Sequence, residues 1–203
     1  PRDDSGWNTP DKAAHDTRAV LEWIIETTGA RPAVLGWSNG SLVTQLAAQR
    51  WPHLFSDIIL YGYPADPAMD ISKFPQMPAD PPRQANTAEN AASDFITPNT
   101  ISEAAIAEYV RHSLAADPIR VDWNQLRQWG ELNPAKVSVP VLLIQGEHDP
   151  LTPDENQARL FTGLGTADRQ WLTLPNSDHA ALLETAQVRF IQSIVDFLQR
   201  PGY

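Results

Sequence analysis

The stretch Ala33-Val34-Leu35-Gly36-Trp37-Ser38-Asn39-Gly40-Ser41-Leu42-Val43-Thr44-Gln45-Leu46-Ala47-Ala48 decides the fold. Its first five residues follow Pro32 as a short apolar run, which reads as a buried strand. From Gly40 the pattern becomes helical, runs to about residue 50 and stops before Pro52. At the joint, Gly36-Trp37-Ser38-Asn39-Gly40 has the form G-x-S-x-G. Such a pattern recurs by chance; the strand before it and the helix after it give it meaning. A turn this sharp puts the serine in a strained backbone conformation. Glycines at 36 and 40 are expected to let strand and helix approach without a clashing Cβ. The turn lifts the Ser38 hydroxyl clear of the sheet. It also leaves the Asn39 backbone amide at a helix N-terminus, aimed where an oxyanion would form.

On the N-terminal side, residues 1–9 are polar and turn-rich. Thr9-Pro10-Asp11 has the chemistry of a helix start, with Thr9 as cap and Pro10 at the first helical position. The apolar positions Ala13, Ala14, Val20, Leu21, Ile24 and Ile25 predict a helix over 11–28, ended by Gly29. On the C-terminal side, Asp57–Tyr61, Val141–Gln145 and Gln170–Leu174 read as buried strands, and 154–163 and 184–199 as helices. Apolar strands alternating with helices indicate an α/β fold, a mainly parallel sheet covered by helices.

Residues 64–82 break the alternation with six prolines, too many for a core element. Beyond them Ile101, Ala104, Ala105, Ile106, Tyr109, Val110 and Leu114 fit a helical period. The chain therefore divides into a core part at 1–63, a mostly helical cap insertion at 64–135 and a second core part at 136–203. Insertions this long in compact domains usually carry function, here the covering of a substrate.

A serine needs a base. His15, His53 and His112 read as surface or packing residues, and His148 precedes Asp149 after the third strand. His179, in Pro175-Asn176-Ser177-Asp178-His179-Ala180, follows the last strand and can reach the carboxyl ends of the strands, where α/β sites lie. The acid belongs after a strand between serine and histidine. Asp149 in Gly146-Glu147-His148-Asp149-Pro150 fits, with Glu147 as its understudy. Asp178 is a rival, but its place beside His179 is poor for accepting the ring proton. Asp154 reads as a first-turn charge. The order Ser38, Asp149, His179 is that of a hydrolase triad.

Composition narrows the alternatives. The 203 residues carry a formal net charge of −10, which disfavours nucleic acid or an anionic membrane surface as partner. With no cysteine there is no disulfide, thiolate chemistry or cysteine-held zinc. No apolar run approaches the roughly 20 residues of a membrane span. No metal motif or phosphate loop is found, so neither metal nor cofactor is expected. The chain opens at Pro1 without a signal peptide, and the expected location is cytoplasmic.

On GWSNG, VPVLLIQGEHDPLTP and LPNSDHAALLE, covering roughly 9–63 and 134–200, the sequence resembles the α/β-hydrolase superfamily. It is similar to the cap-bearing branch that holds bacterial esterases, haloperoxidase-like enzymes and proline iminopeptidase-like peptidases. The resemblance implies Ser38 as acylated nucleophile, His179 as base and then acid, Asp149 as its orienting partner and the Asn39 amide as one oxyanion donor. With serine at 38, the aspartate nucleophile of the dehalogenases is absent. The resemblance also implies several strands ahead of the first helix and a second oxyanion donor among them. Only four strands are legible here, so the expectation is the C-terminal portion of the fold, completed by an N-terminal fragment or second chain that pairs with strand 33–37.

For the substrate, Trp37, Phe95, Tyr109, Trp123 and Trp129 are available to line an apolar pocket for a small molecule. A carboxylic ester or lactone leads. An aminopeptidase would need cap carboxylates for the substrate ammonium, and Glu89, Glu103 and Glu108 are on hand. Carbon–carbon bond hydrolysis, perhydrolysis and a non-catalytic binding protein on the same scaffold stay open.

Overall fold

The computed structural model describes residues 8–74, 84–120 and 123–201. Helix α1 spans Pro10–Thr28. Its cap is Thr9, whose side chain accepts from the Lys12 amide, and its end is Gly29 in the left-handed region. Strand β1 is Val34–Trp37 and α2 is Asn39–Arg50, with eight consecutive residues of α2, Ser41–Ala48, buried. Strand β2 is Ile58–Tyr61, buried throughout. After the segment that follows it come β5 (Val141–Gly146), α5 (Asp154–Gly163), β6 (Arg169–Leu174) and α6 (Gln187–Leu198).

The intervening segment holds a two-stranded antiparallel ribbon, β3 (Gln84–Ala85) with β4 (Ile119–Arg120), and helices α3 (Ala88–Ala92) and α4 (Glu103–Ala116). The ribbon and α3 are too short to leave a period in the sequence. The prolines at 75, 78, 81 and 82 lie outside the described residues.

The main sheet is parallel throughout, in the order β1-β2-β5-β6. Its middle strands are closed to water on both faces, hence their unbroken apolar runs. The outer strands are not: in β6 Gln170 and Thr173 are exposed, and in β1 Leu35 is 43% exposed. One face packs under α1, α2 and α5 through Leu21, Leu46, Ile58, Leu60, Val141, Leu143 and Leu160. The other packs Ile59, Tyr61, Leu142 and Ile144 against Phe190 and Phe197 of α6.

Two expectations need correction. The last helix begins at Gln187, three residues later than 184. Residues 180–186 instead form turns, because Glu184 directs its carboxylate back to Thr100. Crowding at the elbow is also one-sided. A Cβ on Gly36 would lie 2.5 Å from Thr44 Oγ1 and closer still to the Gly40 carbonyl, whereas one on Gly40 meets nothing within 4 Å among the described residues. The glycine that permits the close approach is Gly36.

Candidate active site

Strand β1 delivers Ser38 to the carboxyl edge of the sheet. The Ser38 amide donates to the Tyr61 carbonyl at 3.0 Å, which extends the β1–β2 ladder by one bond, and the chain then turns sharply with φ 54 and ψ −128 at Ser38. A non-glycine residue at positive φ outside a relaxed well stores strain on the order of 1–3 kcal/mol, so the surroundings must impose it. Ser41 helps, its amide and hydroxyl both donating to the Ser38 carbonyl. The Asn39 amide, first in α2, has no hydrogen-bond partner among the described residues.

Strand β5 delivers Asp149 in the turn after Gly146, and the loop after β6 delivers His179. Their side chains are buried and joined, with His179 Nδ1 2.8 Å from Asp149 Oδ2. The other carboxylate oxygen accepts from the Leu151 amide at 2.9 Å. With an ionised carboxylate, which only accepts, and a neutral ring, this bond assigns the proton to Nδ1 and leaves the lone pair on Nε2. Nε2 is buried and without a hydrogen-bond partner among the described residues, so no bond joins it to Ser38 Oγ. The ring is held from three sides. Trp37 donates its indole N–H to the His179 carbonyl at 2.8 Å, and its ring lies 5.7 Å from the imidazole. Gly62, at φ +59, leaves space that a Cβ would fill 2.8 Å from His179 Cε1. Below the loop, Tyr61 accepts from the Ala181 amide and donates to the Asp178 carbonyl. Burial pushes the Tyr61 hydroxyl above its ordinary range, so it stays neutral and keeps both bonds.

The other candidates lie elsewhere. His15 sits against Trp51, His112 is exposed beside Glu108, and His148 is exposed near Glu147. Glu147 accepts from the Asn176 amide and so braces the loop that carries His179.

Residues 3–186 match the family model described as "Serine aminopeptidase, S33". The chain belongs to this family. Many solved α/β hydrolases share its fold. They include a structure described for LipS and LipT, two metagenome-derived lipolytic enzymes (20% identity, TM-score 0.64, 95% of this chain and 75% of that one). The monoacylglycerol lipase of Paleococcus ferrophilus gives 16%, 0.65, 96% and 77%, and a thermophilic esterase 21%, 0.64, 95% and 73%. At these identities the likeness shows the fold alone. No curated protein matches the chain by sequence.

This S33-family chain has a cavity of about 630 Å³ beside the elbow, walled by Asn39, Leu42, Met69, Phe74, Trp123 and Trp129 among others. Two of the five aromatic candidates, Trp123 and Trp129, are in the wall, with ring centres 5.7 Å apart. Trp37 packs on His179 instead, and Tyr109 stacks edge-on against Phe95 away from that wall. Met69 and Phe74 were not singled out in the sequence, where nothing distinguishes them from ordinary packing residues. Asp66 also lines the cavity, but Arg159 grips both its oxygens at 2.8 Å and holds it below the usual carboxylate range. Glu89, Glu103 and Glu108 are not part of the wall. Among the described residues no group of three or more His, Cys, Asp or Glu could hold a metal ion, and no helix is long and apolar enough to cross a membrane.

Proposed function

We propose that this hydrolase cleaves a carboxylic ester or lactone of a small, partly apolar molecule through an acyl-enzyme on Ser38. The observation that carries the reading is the buried His179, with Nδ1 bonded to Asp149 and Nε2 unpartnered. A buried acceptor left unpaired costs about 1–3 kcal/mol. That cost is hard to account for in a purely structural histidine and is expected of a base waiting for a hydroxyl proton. In the proposed cycle Nε2 takes the Ser38 proton as Oγ attacks the carbonyl carbon, and Asp149 stabilises the imidazolium. The Asn39 amide receives the oxyanion. His179 then protonates the leaving alcohol, and water activated by the same nitrogen releases the acid.

The family description and the notion of a cap at 64–135 both allow an aminopeptidase. The cavity favours a neutral substrate: among the described residues its one carboxylate is occupied by Arg159, which leaves none of them free to bind an α-ammonium. We further propose that another chain segment pairs with β1 and brings a second oxyanion donor. Two features support it: the exposed Leu35 on that edge strand, and a sheet face on which α6 is the one covering helix among the described residues.

Fluorophosphonate labelling tests the nucleophile. The chain is expected to be labelled, and Ser38→Ala to abolish both labelling and hydrolysis of an activated ester. Labelling that survives the substitution refutes the assignment. Turnover of aminoacyl anilides above that of neutral esters refutes the substrate class.

A further inference from the structure

Two buried carboxylates beside the base have no part in the reaction above. Asp178 is fully buried and Glu184 is 5% exposed, and neither forms an ion pair among the described residues. Both reach the same stretch of the inserted segment. Asp178 Oδ2 accepts from the amides of Ile96, at 3.1 Å, and of Thr97. Its Oδ1 turns back to the Ala180 amide at 3.0 Å. Glu184 Oε1 accepts from the Thr100 hydroxyl at 2.6 Å, and the Thr185 amide donates to the Thr100 carbonyl at 3.0 Å. Glu184 Oε2 faces the Asp178 amide at 3.4 Å. The stretch 96–100 is thus tied to both flanks of His179 by side chains whose charge depends on pH.

We propose that Asp178 and Glu184 form a proton-dependent clasp that holds cap segment 96–100 against the loop carrying His179, and so act as positioning residues for that base. Two ionised carboxylates side by side, buried with no cation among the described residues, repel strongly; a proton on Glu184 removes the repulsion and adds a donor. Among the described residues, the groups that face the pair carry no positive charge while His179 is neutral. Tyr61 approaches from β2 and Thr100 from the cap, while Asp149, in the turn after β5, acts on Tyr61. Burial and then the neighbouring Asp178 push Glu184 above the usual carboxylate range, against the Thr100 hydrogen bond. The folded protein therefore keeps this proton to a higher pH than the unfolded chain does. The clasp is complete below the ordinary glutamate range and loosens as pH rises through the folded value.

The inference uses the proposed role of His179 only for its effect on rate. Its test reads hydrogen exchange of the 96–100 amides against pH in the Ser38→Ala protein, after correction for intrinsic exchange. Failure of the triad assignment would thus leave the result intact. Protection at Ile96 and Thr97 is expected to fall roughly tenfold or more across the Glu184 titration, the scale of one hydrogen bond to a charged group. Glu184→Gln, which stays neutral, is expected to flatten that step. Thr100→Val removes the stronger of the two donors that favour ionised Glu184, the other being the Asp178 amide, and so moves the step to higher pH. It retains both carboxylates and covers the case in which the glutamine variant does not fold. With Ser38 restored, ester turnover in the wild type is expected to decline over the same step, beyond what Glu184→Gln shows. A flat exchange profile in the wild type, an unchanged step in Glu184→Gln, or a step that Thr100→Val leaves in place would overturn the clasp.

Discussion

Gly62 offers a direct way to move the base without touching it. Its φ of +59 already excludes most side chains, and a Cβ there would sit 2.8 Å from His179 Cε1 and 3.0 Å from Nδ1. Ordinary contact begins at 3.4 Å, so Gly62→Ala asks the imidazole to retreat by about 0.6 Å. The backbone conformation alone costs the alanine about 1–2 kcal/mol, and overpacking against a buried ring adds about 1–3 kcal/mol. A base displaced on this scale loses roughly 10–100-fold in rate, since misplacement by 1 Å costs about 10². Gly29→Ala is the control. Gly29 has φ +74 but nothing within 4 Å of its Cβ position, so it suffers the backbone strain without the crowding. Thermal melting and ester turnover on both variants separate the two terms. Both should melt lower, Gly62→Ala more so, and only Gly62→Ala should lose turnover while still folded. A folded Gly62→Ala protein with wild-type kcat would refute the placement of the His179 ring.

Two further outcomes follow from the same contacts. Asp149→Asn removes the acceptor that fixes the proton on Nδ1, and turnover should drop on the order of 10³–10⁴ while the fold survives; steady-state kinetics at saturating ester would show it, and a loss under tenfold would point to another acid. Tyr61→Phe leaves the buried Ala181 amide without its acceptor and should cost about 1–3 kcal/mol in urea unfolding, with no change expected if water replaces the hydroxyl.

The periodic elements were legible because each carries its own signal. The α1 boundaries follow from Thr9, Pro10 and Gly29, which act within one turn of the chain. The buried strands β2 and β5 are unbroken apolar runs because helices close both faces. The elbow was legible for a similar reason: Ser38 stands between a strand and a helix, and Gly36 marks where they nearly touch. Less was legible where partners are remote. Glu184 looked like the first residue of a helix, and only the fold reveals that Thr100, 84 positions away, draws its carboxylate out of that helix. The aromatic candidates share only their residue type, and tertiary packing divides them: Trp123 and Trp129 border the cavity, while Trp37 clamps the His179 loop.

The sequence alone determined the parallel α/β sheet, the serine between strand and helix, and the order in which the candidates Ser38, Asp149 and His179 appear. These are written in local patterning, which needs only a few neighbouring residues to be decisive. Tertiary structure alone decided that Asp149 meets His179 at 2.8 Å with Nε2 left open, that Arg159 occupies Asp66 in the cavity wall, and that Asp178 and Glu184 bind residues 96–100. Each of these joins side chains from separate loops. Their meeting depends on how the whole sheet stacks its strands, which no short stretch of sequence encodes.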